Sequence, residues 1–131
     1  MNALLSIKPK YVKNIIAGTK QFEFRKQPLS PSVKRVYIYC SAPEKKIIGY
    51  FELRKIIQDT PKNLWHRFKN EAGISSGDFF EYYDGKEVGY AISISNLIVL
   101  KKPIDPYKRF ENFTPPQSFL YLRKGTQKTL F

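Results

Sequence analysis

Two long stretches of β-branched and aromatic residues constrain the fold of this chain most. Residues 47–57 and 88–100 both have strand composition and both exceed the usual strand length of about 5–6 residues. Gly49 lies inside the first stretch and predicts a bulge or a close approach of a neighbouring backbone. Asp84-Gly85 is a turn dipeptide directly before the second stretch. Long, locally bent strands of this kind favour a curved, barrel-like sheet.

Helix signals are confined to two parts of the chain and do not alternate regularly with the strands. The first helix is predicted over residues 9–17, from Pro9 to the stop at Gly18. Two more are predicted at residues 61–73 and near 75–83, and shorter strands at 4–7, 21–25, 35–40 and 118–122. Four prolines after Lys101 argue against a further long element. The fold class is therefore α+β, with a small mixed or antiparallel barrel and helices packed at its sides.

The length of 131 residues predicts one domain, over residues 1–122, followed by a basic, flexible tail at 123–131. Cys40 is the only cysteine and His66 the only histidine, which excludes an intrachain disulfide and a convincing set of soft metal ligands. No apolar run reaches the roughly 18 residues that a membrane span needs. We therefore expect a cytoplasmic protein without a metal or other cofactor.

The formal net charge of +12 is unevenly distributed along the chain. Residues 1–55 have twelve basic and three acidic side chains, residues 56–100 have four and six, and residues 101–131 have seven and two. If the first and last parts meet in the fold, one face becomes strongly positive and attracts polyanions such as nucleic acid. Excess lysines that only keep the protein soluble explain the composition equally well.

The segment 18–25, with the sequence GTKQFEFR, contains the densest group of charged candidates for a binding site. It fits the pattern G-x-K-x-x-E-x-R, in which Gly18 and Lys20 lie at a turn and Glu23 and Arg25 share one face of a strand. Three charged groups can thus converge at the edge of a cavity, where they could bind a phosphate or the edge of a base. A surface strand whose charges pair with neighbours is the alternative.

Several aromatic residues are also candidates for function or core. Tyr37 and Tyr39 share one face of their strand, where they could stack on bases or belong to the barrel core. We assign Phe22 and Phe24 to the core, together with Trp65 and Phe68 of the second helix.

The octapeptide, preceded by a strand and an amphipathic helix and followed by several strands, resembles the signature of the ASCH domain in the PUA-like superfamily of small β-barrels. The resemblance covers about residues 3–104, and residues 114–119 are similar to the closing segment of some members. It implies an RNA-related role, with the ligand in a cleft between barrel and helix. The matching positions are Gly18, Lys20, Glu23 and Arg25.

The resemblance also implies an enzymatic alternative, because some members are hydrolases. In an acetylcytidine amidohydrolase of the family, a lysine, a threonine and a glutamate are catalytic; the lysine matches Lys20 and the glutamate aligns with Glu71. Glu23 falls at the threonine position, and a carboxylate cannot replace a hydroxyl nucleophile. Ribonuclease activity is also attributed to members, and there Lys20 could act as the cation and Glu71 as the general base.

We therefore expect a domain that binds RNA or a modified nucleotide through Gly18, Lys20, Glu23 and Arg25, with Tyr37 and Tyr39 as further candidates. A hydrolase acting on a modified nucleoside or on RNA is the alternative. A DNA-associated accessory domain is a third hypothesis, although no helix-turn-helix pattern supports sequence-specific DNA binding. The sequence leaves the oligomeric state open.

Overall fold

One curled six-stranded sheet organises the computed structural model, which describes residues 1–122. A short 3₁₀ helix, Lys69–Glu71, follows the second α-helix. The remaining elements, in chain order, are β1 (Asn2–Ile7), α1 (Pro9–Ala17), β2 (Phe22–Arg25), β3 (Arg35–Cys40), β4 (Lys46–Asp59), α2 (Pro61–Phe68), α3 (Ser76–Tyr82), β5 (Gly89–Ile104), α4 (Pro106–Arg109) and β6 (Phe119–Leu122).

The strand order is β2-β5-β4-β3-β1-β6, in which β1 and β3 are parallel and the other pairs antiparallel. This mixed sheet confirms the predicted α+β class. β2 and β6 form the two edges, yet Arg25 of β2 donates hydrogen bonds to the carbonyl oxygens of Ser6, in β1, and Ser118, next to β6. The sheet therefore curls into a half-barrel until its two edges face each other.

Most elements lie where the sequence predicts them. α1 and β3 have the predicted bounds, and the two long strands are slightly longer than their predicted cores. Ser75 caps α3, its hydroxyl accepting the backbone N–H of Asp78 at 3.1 Å. Gly49 lies at a register shift of β4, where an added Cβ would overlap the carbonyl oxygen of Ile98. The expected bulge and close backbone approach are thus both present.

As the prolines after Lys101 predict, no further long element begins there within residues 1–122, where α4 and β6 have four residues each. β5 continues through Pro103 to Ile104, and the short helix α4 begins at Pro106. Pro103 is tolerated because β2 pairs only with Tyr90 to Ser93 of β5. Beyond that point one edge of β5 is free of β2, so a residue without an N–H need not break a ladder on both sides.

The two faces of the sheet pack into separate cores, as strand alternation requires. On β1 and β3, Leu5 and Ile38 belong to the core beneath α1, whereas Leu4, Tyr37 and Tyr39 belong to the core on the opposite face. The first of these cores supports α1 next to β1 and so positions one side of the functional site.

A third core joins α2 and α3 to β2 and β5. Phe24, Leu64 and Phe79 are buried in it, and Phe22, Trp65 and Phe68 pack against it. The core assignments of these aromatic residues are thus confirmed. This cluster anchors α3 on the outer side of β2 and so positions the other side of the site.

No helix among residues 1–122 is long and apolar enough to cross a bilayer. The basic tail expected at 123–131 lies outside the described residues.

Candidate functional site

The turn from α1 into β2 places Lys20. Gly18 ends the helix with φ +84°, a left-handed conformation that favours glycine, and the backbone N–H groups of Thr19 and Lys20 both donate to the carbonyl oxygen of Asn14 at 3.1 Å. Gly18 therefore acts through the backbone, by directing the chain from helix to strand.

A second glycine, Gly73, packs against the aliphatic part of Lys20. Its φ is +60°, and an added Cβ would overlap the Cα and Cβ of Lys20. Lys20 also forms a β-bridge with Ala72, and the Asn14 side chain donates to the Gly73 carbonyl at 3.0 Å. The segment around Ala72, far away in sequence, therefore holds the lysine in place.

Lys20, Glu23 and Arg25 form a contiguous charged group that we call the buried triad. The Glu23 carboxylate lies between the two cations, with Oε1 3.6 Å from the Lys20 Nζ and Oε2 2.7 Å from the Arg25 Nη2. The three residues are only 2%, 6% and 8% exposed. The sequence correctly placed these side chains together, but they pair mainly with one another and not with exposed neighbours.

The hydrogen bonds that the two cations of the triad donate all go to acceptors within the protein. The Lys20 Nζ donates to the Ala72 carbonyl at 2.8 Å and lies 5.2 Å from the centroid of Phe24. Throughout residues 1–122, no buried side-chain nitrogen or oxygen lacks a hydrogen-bond partner. The triad is therefore satisfied within the fold, as buried ionic groups require.

Burial and mutual attraction shift the protonation equilibria of the triad. Burial lowers the pKa of the Lys20 ammonium, and the nearby Glu23 offsets part of that shift. Burial alone would raise the pKa of Glu23, but Arg25 and Lys20 outweigh it and hold the pKa below its usual range. The carboxyl is thus ionised at neutral pH, and the ammonium releases its proton more readily than that of an exposed lysine.

The triad forms the floor of a cleft of about 1000 Å³ between α1, α3 and the facing edges of the sheet. Six basic side chains line this cleft against three acidic ones. Besides the triad, the charged lining residues are Lys8, Lys10, Lys26, Lys86, Asp78 and Glu81. Apart from the triad these residues are exposed, so the edge of the cleft is a solvated, positively charged rim.

Tyrosines flank the floor on both sides. Tyr11 of α1 lies 5.3 Å from the Lys20 Nζ, measured to its ring centroid, and Tyr82 of α3 lies 4.5 Å from the Lys26 Nζ. Burial raises the pKa of the Tyr82 hydroxyl, although its ring is 36% exposed. Two aromatic rings thus accompany the lysines in the cleft.

Sequence reasoning did not identify these two tyrosines or the rim lysines. Helical spacing places Tyr82 three residues after the buried Phe79 on α3 and Tyr11 four residues before the buried Ile15 on α1, so each tyrosine adjoins the apolar stripe of its helix. That spacing is a usable signal, but it does not show that α1 and α3 face each other.

Other predicted site residues lie elsewhere in the fold. Tyr37 and Tyr39 are 2% and 1% exposed in the core on the opposite face of the sheet, and the Tyr39 hydroxyl lies 3.5 Å from that of Tyr107. Neither residue lines the cleft. Gly18 is also absent from its lining and acts through the turn described above.

Glu71 is near Lys20 in the backbone but not in the cleft. Its carbonyl oxygen accepts the Gln21 N–H at 2.8 Å, and the ammonium of Lys20 donates to the next carbonyl, that of Ala72. The Glu71 side chain is not part of the cleft lining within residues 1–122. The carboxylate that does contact Lys20 is that of Glu23.

Residues 1–122 contain no cluster of three or more histidine, cysteine, aspartate or glutamate side chains that could hold a metal ion.

Comparison with known proteins agrees with this geometry. A protein of Zymomonas mobilis named ASCH domain-containing ribonuclease is 35% identical over 130 residues, covering 96% of this chain and 88% of its own length. The crystal structure of ASCH from the same organism matches with a TM-score of 0.86 at 33% identity, covering 94% of this chain and 88% of that one. A tyrosine-to-phenylalanine variant of that protein matches with the same TM-score.

The model of the ASCH domain family matches residues 5–111, which include the motif at 18–25, the second half of β1 and all of β2 to β5. With the half-barrel, the helix-to-strand turn and the cleft, this match identifies the chain as a member of the ASCH domain family.

Proposed function

We propose that this protein binds RNA in the cleft between α1, α3 and the sheet edges. The observation that carries the proposal is the charge of the lining, six basic against three acidic side chains around a cavity of about 1000 Å³. That volume is at the upper end of the roughly 300–1,000 Å³ typical of ligand pockets and accommodates a nucleotide with its neighbouring phosphates. Membership of a PUA-like, RNA-binding domain family supports the same ligand class.

The cleft offers each kind of contact that RNA recognition uses. Exposed cations attract phosphates, and the ring of Tyr82 is open to stacking by an unpaired base. The Glu23 carboxylate on the floor is a hydrogen-bond acceptor for an exocyclic amine. A modified nucleotide held against this floor is the finer form of the proposal.

Fluorescence anisotropy with a short, labelled single-stranded RNA tests the proposal. The informative variant is the double substitution Lys26→Ala/Lys86→Ala, which removes two rim charges. Its matched control is Lys101→Ala/Lys102→Ala, which removes two exposed charges from β5 outside the cleft. We expect about tenfold weaker binding for the first pair, or about 0.7 kcal/mol per lysine, and a smaller loss for the second.

Equal losses for the two pairs would contradict a cleft site and indicate nonspecific attraction to the overall charge. Duplex RNA, duplex DNA and free nucleosides, used as competitors of the labelled RNA, then define the ligand class. Strong competition by a free modified nucleoside would favour the finer proposal, and strong competition by duplex DNA would favour a DNA-associated role.

Ribonuclease activity is the second candidate, favoured by the name of the 35% identical relative. In RNA cleavage the 2′-oxygen attacks the phosphorus. This step needs a base that accepts the proton of the 2′-hydroxyl and an acid that protonates the leaving 5′-oxygen. Lys20 has the lowered pKa that suits the acid, and Glu71 is the candidate for the base. Since the Glu71 side chain is outside the cleft lining, this role requires RNA that extends past Ala72.

Cleavage of a labelled RNA, followed on gels, tests this second candidate. We expect turnover by the wild type and its loss in both Lys20→Ala and Glu71→Ala. Turnover that survives both changes would exclude these residues as catalysts. If the wild type binds RNA without cleaving it, the result supports RNA binding and excludes the ribonuclease candidate.

A further inference from the structure

We propose that Arg25 closes the gap between the two edges of the sheet and contacts no phosphate, and that exposed lysines at the rim bind the phosphates instead. The inference deepens the proposed RNA-binding function and rests on it. It assigns the phosphate contacts to lysines outside the motif at 18–25 and a positioning task to the arginine within it.

The hydrogen bonds of Arg25 account for all the donors on its two terminal nitrogens. Nη1 donates to the carbonyl oxygen of Ser118 at 3.1 Å and to its hydroxyl at 3.0 Å. Nη2 donates to the Ser6 carbonyl at 3.0 Å and to Glu23 Oε2 at 2.7 Å. Each terminal nitrogen carries two N–H groups, so their four donors have four acceptor atoms within the protein. A terminal nitrogen could bind a phosphate only by giving up one of these bonds.

The acceptors show what the guanidinium does. Arg25 is on β2, at one edge of the sheet, whereas Ser6 is in β1 and Ser118 directly precedes β6, at the other edge. The Ser118 carbonyl also accepts the N–H of Ser6 at 3.0 Å. One planar side chain thus links the two edges across the closed end of the cleft. We therefore regard Arg25 as a positioning residue that sets the spacing of the cleft walls.

The burial of Arg25 supports the same division of tasks. Glu23 pairs with the guanidinium from within β2 and offsets its charge, and Arg25 is only 8% exposed. A buried cation paired with a carboxylate contributes less to the attraction of a polyanion than an exposed, unpaired one.

Three lysines at the rim have the opposite properties. Lys8 is the residue directly before α1, Lys26 directly follows β2, and Lys86 lies between α3 and β5. The three lysines therefore lie on different sides of the cleft. All three are exposed, and none takes part in an ion pair within residues 1–122. Lys10, by contrast, is 3.5 Å from Asp78. When solvated ammonium groups contact phosphates, counterions condensed on the RNA are released, and this release is the measurable consequence of such contacts.

The salt dependence of RNA binding tests the assignment, because its slope counts phosphate contacts at about 0.7 per contact for single strands. The probe is the short single-stranded RNA, titrated at a series of KCl concentrations. We expect Lys8→Gln, Lys26→Gln and Lys86→Gln each to reduce the slope by about 0.7. Arg25→Gln is expected to leave the slope unchanged while weakening binding at every salt concentration.

Arg25→Lys separates positioning from charge. Lysine keeps the cation but lacks the planar fork, so a positioning role predicts that Arg25→Lys weakens binding and lowers the unfolding midpoint about as much as Arg25→Gln. Rescue of affinity by lysine, or a smaller slope in Arg25→Gln, would overturn the inference.

A measurement on the wild type covers the case in which the Arg25 variants do not fold. The NMR signal of the Arg25 Nε–H is expected to stay in place when RNA is added, and a large shift would overturn the inference. If the wild type does not bind RNA, both the proposed function and the phosphate contacts fail. Normal binding with unchanged slopes in the three lysine variants would overturn this inference alone.

Discussion

Replacing Glu23 by glutamine tests the energetics of the buried triad most sharply. The substitution keeps the shape of the side chain but removes the negative charge between two buried cations. At 2.7 and 3.6 Å, each attraction amounts to about 5 kcal/mol at an effective dielectric constant of about 20. Desolvation of the carboxylate and repulsion between the cations offset much of that gain. Breaking a buried pair from one side typically costs about 3–5 kcal/mol, and we expect a loss of about 3 because the glutamine oxygen still accepts one hydrogen bond.

Urea unfolding followed by the fluorescence of Trp65, which packs on Phe79, measures this loss. The matched control is Glu52→Gln, since Glu52 pairs with Arg54 two residues along the same strand at 2.9 Å, but in solvent. Exposed pairs of this kind contribute about 0–1 kcal/mol. A loss for Glu23→Gln no larger than that of the control would refute the reasoning.

The pH dependence supplies a second test of the same substitution. Because the native pKa of Glu23 is lowered, its carboxyl stabilises the fold above the ordinary pKa of 4.5, and this contribution is lost as the pH falls through the native value. Glutamine has no such titration. The difference in unfolding free energy between wild type and Glu23→Gln should therefore narrow as the solution is acidified. A difference that stays constant down to strongly acidic pH would contradict the assigned charge state.

Three further outcomes follow from the structure. Gly73→Ala should destabilise the fold by about 2–4 kcal/mol in urea unfolding, because the positive φ and the overlap of the new Cβ with Lys20 act together. Gly18→Ala, at a similar φ but with no atom within 4 Å, should cost only about 1 kcal/mol, and equal losses would contradict the packing of Gly73 on Lys20. Tyr82→Ala should weaken RNA binding by about 1–3 kcal/mol in anisotropy titrations if one base stacks on the ring, and Tyr82→Phe should bind almost normally; equal losses would point to the hydroxyl instead. Cys40 should resist iodoacetamide in the native protein and react after unfolding, because the residue is 3% exposed and burial raises the pKa of its thiol. Mass spectrometry measures the alkylation, and rapid reaction of the native protein would contradict the burial of Cys40.

The fold was largely predictable because its local signals agree with one another. Pro9 and Gly18 mark both ends of α1, and the alternation around Phe24 predicts which side of β2 is apolar. These signals depend on neighbours in sequence, so no long-range information was needed. The short helix α4 was missed because four residues are too few to show helical periodicity.

The site was predictable only in part, because its contacts join distant segments. Spacing alone places Glu23 and Arg25 on one face, but the acceptors at Ser6, Ala72 and Ser118 become neighbours only after the sheet curls. The triad therefore looked like a ligand-binding set, although its donors are largely used within the fold.

The tyrosines of β3 show a similar limit. Alternation correctly places Tyr37 and Tyr39 on one face, but it does not say which face borders the cleft. That choice depends on the chain around α4, where Phe110 and Phe113 cover the opposite face. The rim lysines and Tyr82, for their part, come together only because α1 and α3 border the same cleft.

Backbone amide NMR with added single-stranded RNA shows which surface of the protein the RNA contacts. If RNA binds in the cleft, the shifted resonances cluster in residues 8–11, 20–27, 78–86 and 117–118, which line the cleft or directly flank it. Lys101 and Lys102 on β5 should show little change. Shifts concentrated around those two lysines and α4, with the cleft residues unaffected, would show that RNA binds elsewhere.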